Sequence, residues 1–399
     1  MDFYRHLFLT DGPKKAISFG MVYLLSTIFA FQTLLTAYTS STYMEQFVPK
    51  EFIGFLYIIA SIGAVGLSFL STRILKTIGN VNFALCLMFL IVFLLLLIGF
   101  AFTPIITIIA FILFLVVNPQ IYLNIDIFLE TLIGSEEHST GSKRGIILTV
   151  MSIASFFSPI AMSYIVGQEN NLSAVYFVAA GVGIMFIMMI IAKFRHFYDP
   201  PYVVKGLKES LKTGNINKDM KIVLYGQFLL QFFFTWAIIY FPLYLATEIG
   251  LDWETIGKII AVGLFAFVLL EYPVGRLADL HIGEKEMMAL GFTIIAISSA
   301  CISFLNTNDI LYWMILIFMT RVGASLVEVT TESYFFKQVK GDDSNLISTF
   351  RLTRPVANLA GALIGSISLL FLPFNLIFII LGLILATGIF TTSRLTDTK

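Results

Sequence analysis

Charge is scarce in this 399-residue chain: Asp, Glu, Lys and Arg together make up 13% of it, against about 25% in ordinary soluble domains. A water-exposed surface of the usual kind cannot be built from so little. The net charge is zero, so bulk electrostatics draw in neither nucleic acid nor an acidic partner, and no nucleic acid is expected to bind. Cysteine is limited to Cys86 and Cys301, each inside an apolar run, which excludes a disulfide framework and reads as small packing residues. The histidines His6, His138, His196 and His281 lie in polar segments without metal-ligand spacing, so no metal site is expected. There is no Gly-x-x-x-x-Gly-Lys-Ser/Thr loop to hold ATP as a primary pump would. Without a clustered nucleophile or His pair the chain does not read as an enzyme, and no cofactor is expected.

Apolar residues, by contrast, reach 58%, and runs such as Phe83 to Phe102, Ile105 to Val117 and Phe371 to Phe390 carry almost no charge over close to the ~20 residues that cross a hydrocarbon core. Lys14 and Lys15 precede an apolar stretch longer than the ~7–15 residue core of a cleaved signal peptide, so the first segment is expected to stay as a spanning helix. Cutting at polar, Gly and Pro punctuation gives twelve candidate spans: 17–42, 52–72, 82–102, 105–132, 145–167, 172–193, 220–247, 255–275, 286–305, 309–334, 345–370 and 372–391. An even number places both termini on one side. Of the Lys and Arg residues only Lys50 then falls on the opposite side, and Lys258, Arg321, Arg351 and Arg354 fall within spans. All others lie on the N-terminal side, which the excess of basic residues makes cytoplasmic. A multi-pass plasma (inner) membrane protein with both termini in the cytoplasm is expected, in contact with membrane lipid and as a monomer.

The polar, basic stretch 195–218 follows the sixth span and reads as a linker between an N-terminal half, 1–194, and a C-terminal half, 219–399. The halves repeat. Glu51-Phe52-Ile53-Gly54 lines up with Glu254-Thr255-Ile256-Gly257, and the same offset brings Arg73 onto Arg276. Asp126 and Glu130 of the fourth span similarly match Glu328 and Glu332 of the tenth. Parallel six-span repeats are one scheme used by secondary transporters.

The segment Gly275-Arg276-Leu277-Ala278-Asp279-Leu280-His281-Ile282-Gly283-Glu284-Lys285 resembles the signature loop of the major facilitator superfamily, approximately Gly-x-Leu-Ala-Asp-Arg-x-Gly-Arg-Lys. One residue is extra between Asp279 and Gly283, and the Arg after the Asp is missing. The first-half copy has Thr72 and Lys76 where the Gly and Asp belong. The resemblance implies an all-α membrane fold of twelve transmembrane helices in two six-helix halves. It also implies a gating loop at Gly275, Asp279 and Gly283, with Asp279 helping to hold the inward side closed. Because Lys76 replaces the Asp, the two halves are not expected to close symmetrically. Ser158-Pro159 weakly resembles a Gly-Pro signature of family antiporters, with a kink whose carbonyls are satisfied as the plain alternative. Gly361-Ala362-Leu363-Ile364-Gly365 reads as small-residue helix packing.

Charge inside the bilayer costs ~2.5–3.5 kcal/mol per residue on insertion scales and normally faces a bundle interior or cavity. The second half holds Glu271, Arg321, Glu328, Glu332, Arg351 and Arg354. Glu328 and Glu332 lie seven and eleven residues beyond Arg321, on one helix face. Arg321, Glu332, Arg351 and Arg354 are read as a charge network, for which a lock of ion pairs is the bland reading. The first half has Asp126 and Glu130 but no Lys or Arg in the interior of its spans. Since burial favours the neutral form of a carboxyl, Asp126, Glu271, Glu130 and Glu328 are the candidates to carry a coupling proton. Mid-depth polar and aromatic residues, Gln32 and Tyr38 on the first span, Gln227, Gln231, Trp236 and Tyr240 on the seventh and Asn358 on the eleventh, are the candidates to touch a small-molecule solute. The reading is a proton-coupled secondary transporter working by alternating access, with a lean towards export of an amphipathic compound. Uptake of a polar nutrient or anion is the alternative, and a non-transporting scaffold or receptor with the same fold is the reading from a different class.

Overall fold

The computed structural model describes residues 17–133, 140–167, 170–200, 217–277, 283–338 and 344–396. Among them all regular structure is helical, and twelve segments are long and apolar enough to cross a membrane. Six lie before residue 195: Phe19–Ala37, Lys50–Ile78, Asn80–Phe100, Pro104–Ile133, Thr149–Val166 and Leu172–Phe194. Six follow it: Lys218–Thr247, Trp253–Glu271, Glu284–Phe304, Ile310–Phe335, Leu352–Phe371 and Phe374–Thr392. Large apolar side chains such as Phe93, Phe157, Phe371 and Phe390 point outward, as a lipid-facing surface requires.

The ends of the spans are set locally. Thr103 caps the fourth by accepting from the amide of Ile106, with Pro104 at the first helical position, where its missing N–H costs nothing. Asn171 and Asn217 cap the sixth and seventh in the same way. Gly79 and Gly283 introduce the third and ninth spans at φ 76° and 93°, in the left-handed region that favours glycine. The two halves thus repeat in backbone conformation at the same turn.

Two expected spans are not continuous. The first runs Phe19–Ala37 and resumes as Ser40–Glu45; the fourth runs Pro104–Val117 and resumes as Gln120–Ile133. Pro119 offers no N–H and crowds the turn before it, which breaks the fourth span at Asn118. Asn118 Nδ2 donates to Thr33 Oγ1 of the first span at 3.2 Å, tying the break to its neighbour. Irregular backbone at membrane depth is tolerated where it is buried or lines a cavity.

The halves face each other chiefly through two pairings, the second span against the eleventh and the fifth against the eighth, with the short helix Ser40–Glu45 also against the seventh span. The repeated Glu-x-Ile-Gly segments make both pairings. A Cβ placed on Gly54 would come within 2.7 Å of the Ala362 carbonyl and would also meet Tyr240 and Ser366, all in the second half. A Cβ on Gly257 would come within 2.7 Å of the Pro159 carbonyl and would also meet Ser163, both in the first. Glycine is required there because helix backbones of opposite halves approach to contact. Both contacts lie towards the membrane face remote from the N-terminus, called the far face below.

Candidate functional site

At the far face Lys50 Nζ pairs with Glu248 Oε1 of the other half and lies 5.5 Å from the centroid of Phe374. Burial pushes the nearby Glu45 carboxyl above its ordinary value, opposed by Lys50 and reinforced by Glu248 and Glu51. The ion pair is half-exposed, a setting in which such pairs contribute about 0.2–1 kcal/mol and are screened by salt. Lys50→Ala should therefore lower the melting temperature only slightly in low salt, and a difference that persisted undiminished in molar salt would contradict this weighting.

Below that face the seventh span presents a ladder of rings to the eleventh, Phe232 to Trp236 at 5.8 Å and Trp236 to Tyr240 at 5.3 Å between centroids. Trp236 Nε1 donates to the Gly361 carbonyl at 2.9 Å and the Tyr240 hydroxyl to the Ala362 carbonyl at 2.7 Å. Gly361, Ala362 and Gly365 thus act as the small-residue seat that the sequence suggested, and the Tyr240 hydroxyl is engaged in it. Thr235 donates to Asn358 Oδ1 at 2.8 Å. Gln227 and Gln231 are buried on the same span, and Gln227 Oε1 has no hydrogen-bond partner. Gln32 lies inside the first half against Gly183, near Met88, with neither amide atom hydrogen-bonded. The Ser158 hydroxyl returns to the Ala154 carbonyl at 2.6 Å beside Pro159, the kinked-helix arrangement, and the Pro159 carbonyl is the one that Gly257 approaches.

Charged side chains of the second half converge, and Arg321 and Arg354 carry the group towards the first half. Glu328 is within electrostatic reach of Glu332, Glu271, Arg354 and Arg321. Arg354 keeps solvent-accessible surface and also reaches Tyr122 of the first half, so it faces the space between halves. Arg321 is 3% exposed, reaches Tyr38, and sets its guanidinium carbon 5.1 Å from the Phe233 centroid. Among the described residues, none of Glu271, Arg321, Glu328, Glu332 and Arg354 closes a direct ion pair. Among the described residues these five thus form no lock of direct ion pairs, the bland reading of their sequence. Asp126 and Glu130 each engage a partner, although the sequence places no Lys or Arg in the interior of the first six expected spans.

Gly283 is the turn before the ninth span, and Gly275 lies in the helix Trp253–Leu277. Asp279, whose role rests on the family resemblance, lies outside the described residues, as does the side chain of Arg351. In the first half Asp199 Oδ1 accepts from the amide of Asn80 at 2.7 Å beside Lys76, so a residue beyond the sixth span supports this turn. Sequence reasoning missed Asn118, Tyr122 and Phe233, for which only the Asn-Pro dipeptide gave a signal. It noticed Gly54 and Gly257 as a repeat but not as the contact between halves.

Twelve spans in two six-span halves, packed second on eleventh and fifth on eighth around buried charge, define a membrane transporter fold. Residues 223–398, within the second half, match the family model described as Major Facilitator Superfamily. Among solved structures, nucleoside transporter NupG aligns at TM-score 0.68 and 12% identity over 95% of this chain and 99% of its own. A bacterial metal transporter aligns at 0.69 and 13% over 95% and 100%. A POT family transporter in complex with 5-aminolevulinic acid aligns at 0.74 and 11% over 93% and 94%. At these identities the likeness concerns the fold. No curated protein sequence matches the chain.

Proposed function

We propose that the protein is a proton-coupled secondary transporter that exposes one central site alternately to the two membrane faces, with its basic, N-terminal face in the cytoplasm. The observation that carries this reading is the cluster of Glu271, Glu328, Glu332, Arg321 and Arg354, without a direct ion pair among them. A cluster kept only for stability would gain by closing its pairs, because unpaired buried charge is costly. Groups held within reach but apart can exchange partners. Glu328 and Glu271 are the proton carriers in this reading, with Asp126 and Glu130 as their first-half counterparts, and proton binding at Glu328 releases Arg321 and Arg354 from its charge. The aromatic wall of Phe233, Trp236, Phe241 and Phe378 suits an amphipathic solute, and export is the favoured direction. The transporter's class would be tested by counterflow of labelled solutes in proteoliposomes with and without a pH gradient. Exchange that the gradient accelerates is the expected result; no exchange of any solute under any gradient would instead make the protein a scaffold or receptor.

A further inference from the structure

Arg321 stands apart from the other charged groups of the cluster. It lies near the middle of the span Ile310–Phe335 and is almost wholly buried, yet among the described residues it donates no hydrogen bond and closes no ion pair, and its Nε is left without a partner. Its guanidinium lies over the face of Phe233, and its stem packs beside Gly263. With Trp236, Phe241, Phe378 and Thr320 it lines a narrow cavity. A buried cation is ordinarily paired or coordinated, and the planar guanidinium presents a fork of donors whose natural complement is a carboxylate or phosphate.

We infer that Arg321 is the anchor for a monovalent organic anion, a carboxylate carrying an apolar or aromatic body. This inference rests on the transport reading above and names the substrate class of its site. Charge count favours the monoanion. Arg321 is the single cation in the lining, and the hydroxyl of Thr320 already donates to the Ile317 carbonyl at 2.7 Å, so the second charge of a phosphate would find no donor there. The rings set the other half of the specificity: they offer an apolar surface for the solute's body, while the charge of Arg321 repels an ammonium group. The lining comes wholly from the seventh, ninth, tenth and twelfth spans of the second half, so at its present narrowness the anion enters as those spans move apart. Glu328 then competes with the solute for Arg321 when ionised and yields to it when protonated.

The test uses the purified full chain, with phenylbutyrate, its neutral amide and phenylbutylamine as probes of one shape and three charges. Phenylbutyrate alone is expected to raise the melting temperature in a concentration-dependent way. Arg321→Met, which keeps the side chain's apolar stem, should weaken that protection by roughly tenfold or more in apparent affinity. Arg321→Lys should retain part of it. Because Arg321→Met removes an unpartnered buried cation, its unliganded form should melt no lower than the wild type, which separates loss of binding from loss of fold. Protection by the amide or amine equal to that by the acid, protection of Arg321→Met equal to that of the wild type, or no protection by phenylbutyrate would each overturn the assignment. Exchange of other solutes in liposomes would in those cases leave the transport reading standing. Phenylbutyrate binding through Arg321 without exchange of any solute would do the reverse.

Discussion

Gly54→Val is expected to abolish transport by holding the far face open. The new side chain would be driven against the Ala362 carbonyl, Tyr240 and Ser366, and backbone cannot yield there as a flexible side-chain tip could. Overpacking of this kind costs about 1–3 kcal/mol, and a bias of that size between two states shifts their ratio roughly 5–150-fold. Gly257→Val should act alike from the other half, against Pro159 and Ser163. Gly66→Val on the same helix as Gly54 is the control, since nothing lies within 4 Å of its Cβ position. Labelling of a cysteine placed at the far mouth should rise in the first two variants and not in the third. Equal labelling in all three would mean that the glycine contacts do not hold that face closed.

Glu328→Gln is expected to separate exchange from coupling. The amide keeps the size and polarity of the protonated acid, so the site should still load solute and counterflow should stay within roughly threefold of the wild type. Accumulation driven by a pH gradient should fall at least roughly tenfold, because the carrier can no longer release a proton. Glu271→Gln, removing a neighbour whose charge Glu328 feels, should reduce coupling less. If accumulation in Glu328→Gln matched the wild type, the proton would have to be carried elsewhere, and Asp126→Asn would be the next variant to measure.

Much of this architecture was legible in the sequence, for a physical reason. Lipid demands long uncharged helices, and a parallel repeat leaves matching residues such as Glu51 to Gly54 and Glu254 to Gly257. What those residues touch was not legible. The far-face contact depends on which helices of opposite halves meet, and nothing along one chain encodes that pairing. The charges of the tenth span were readable as one face from their spacing, but their lack of direct partners needed coordinates. Breaks at Tyr38 and Asn118 escaped because the polar steps there, Thr39 to Thr42 and Asn118 to Gln120, are short beside the apolar runs around them, and only Pro119 signalled the second. The Asp279 loop resembles the family's, yet its geometry lies beyond the described residues, so its gating role stands on resemblance.

The most direct test is proton movement itself. Proteoliposomes loaded with a pH-sensitive dye and given an inwardly directed solute gradient should change internal pH in the wild type, with no change in the Glu271→Gln/Glu328→Gln double variant that still exchanges solute. A proton flux of wild-type size in the double variant would contradict coupling through the second-half carboxylates.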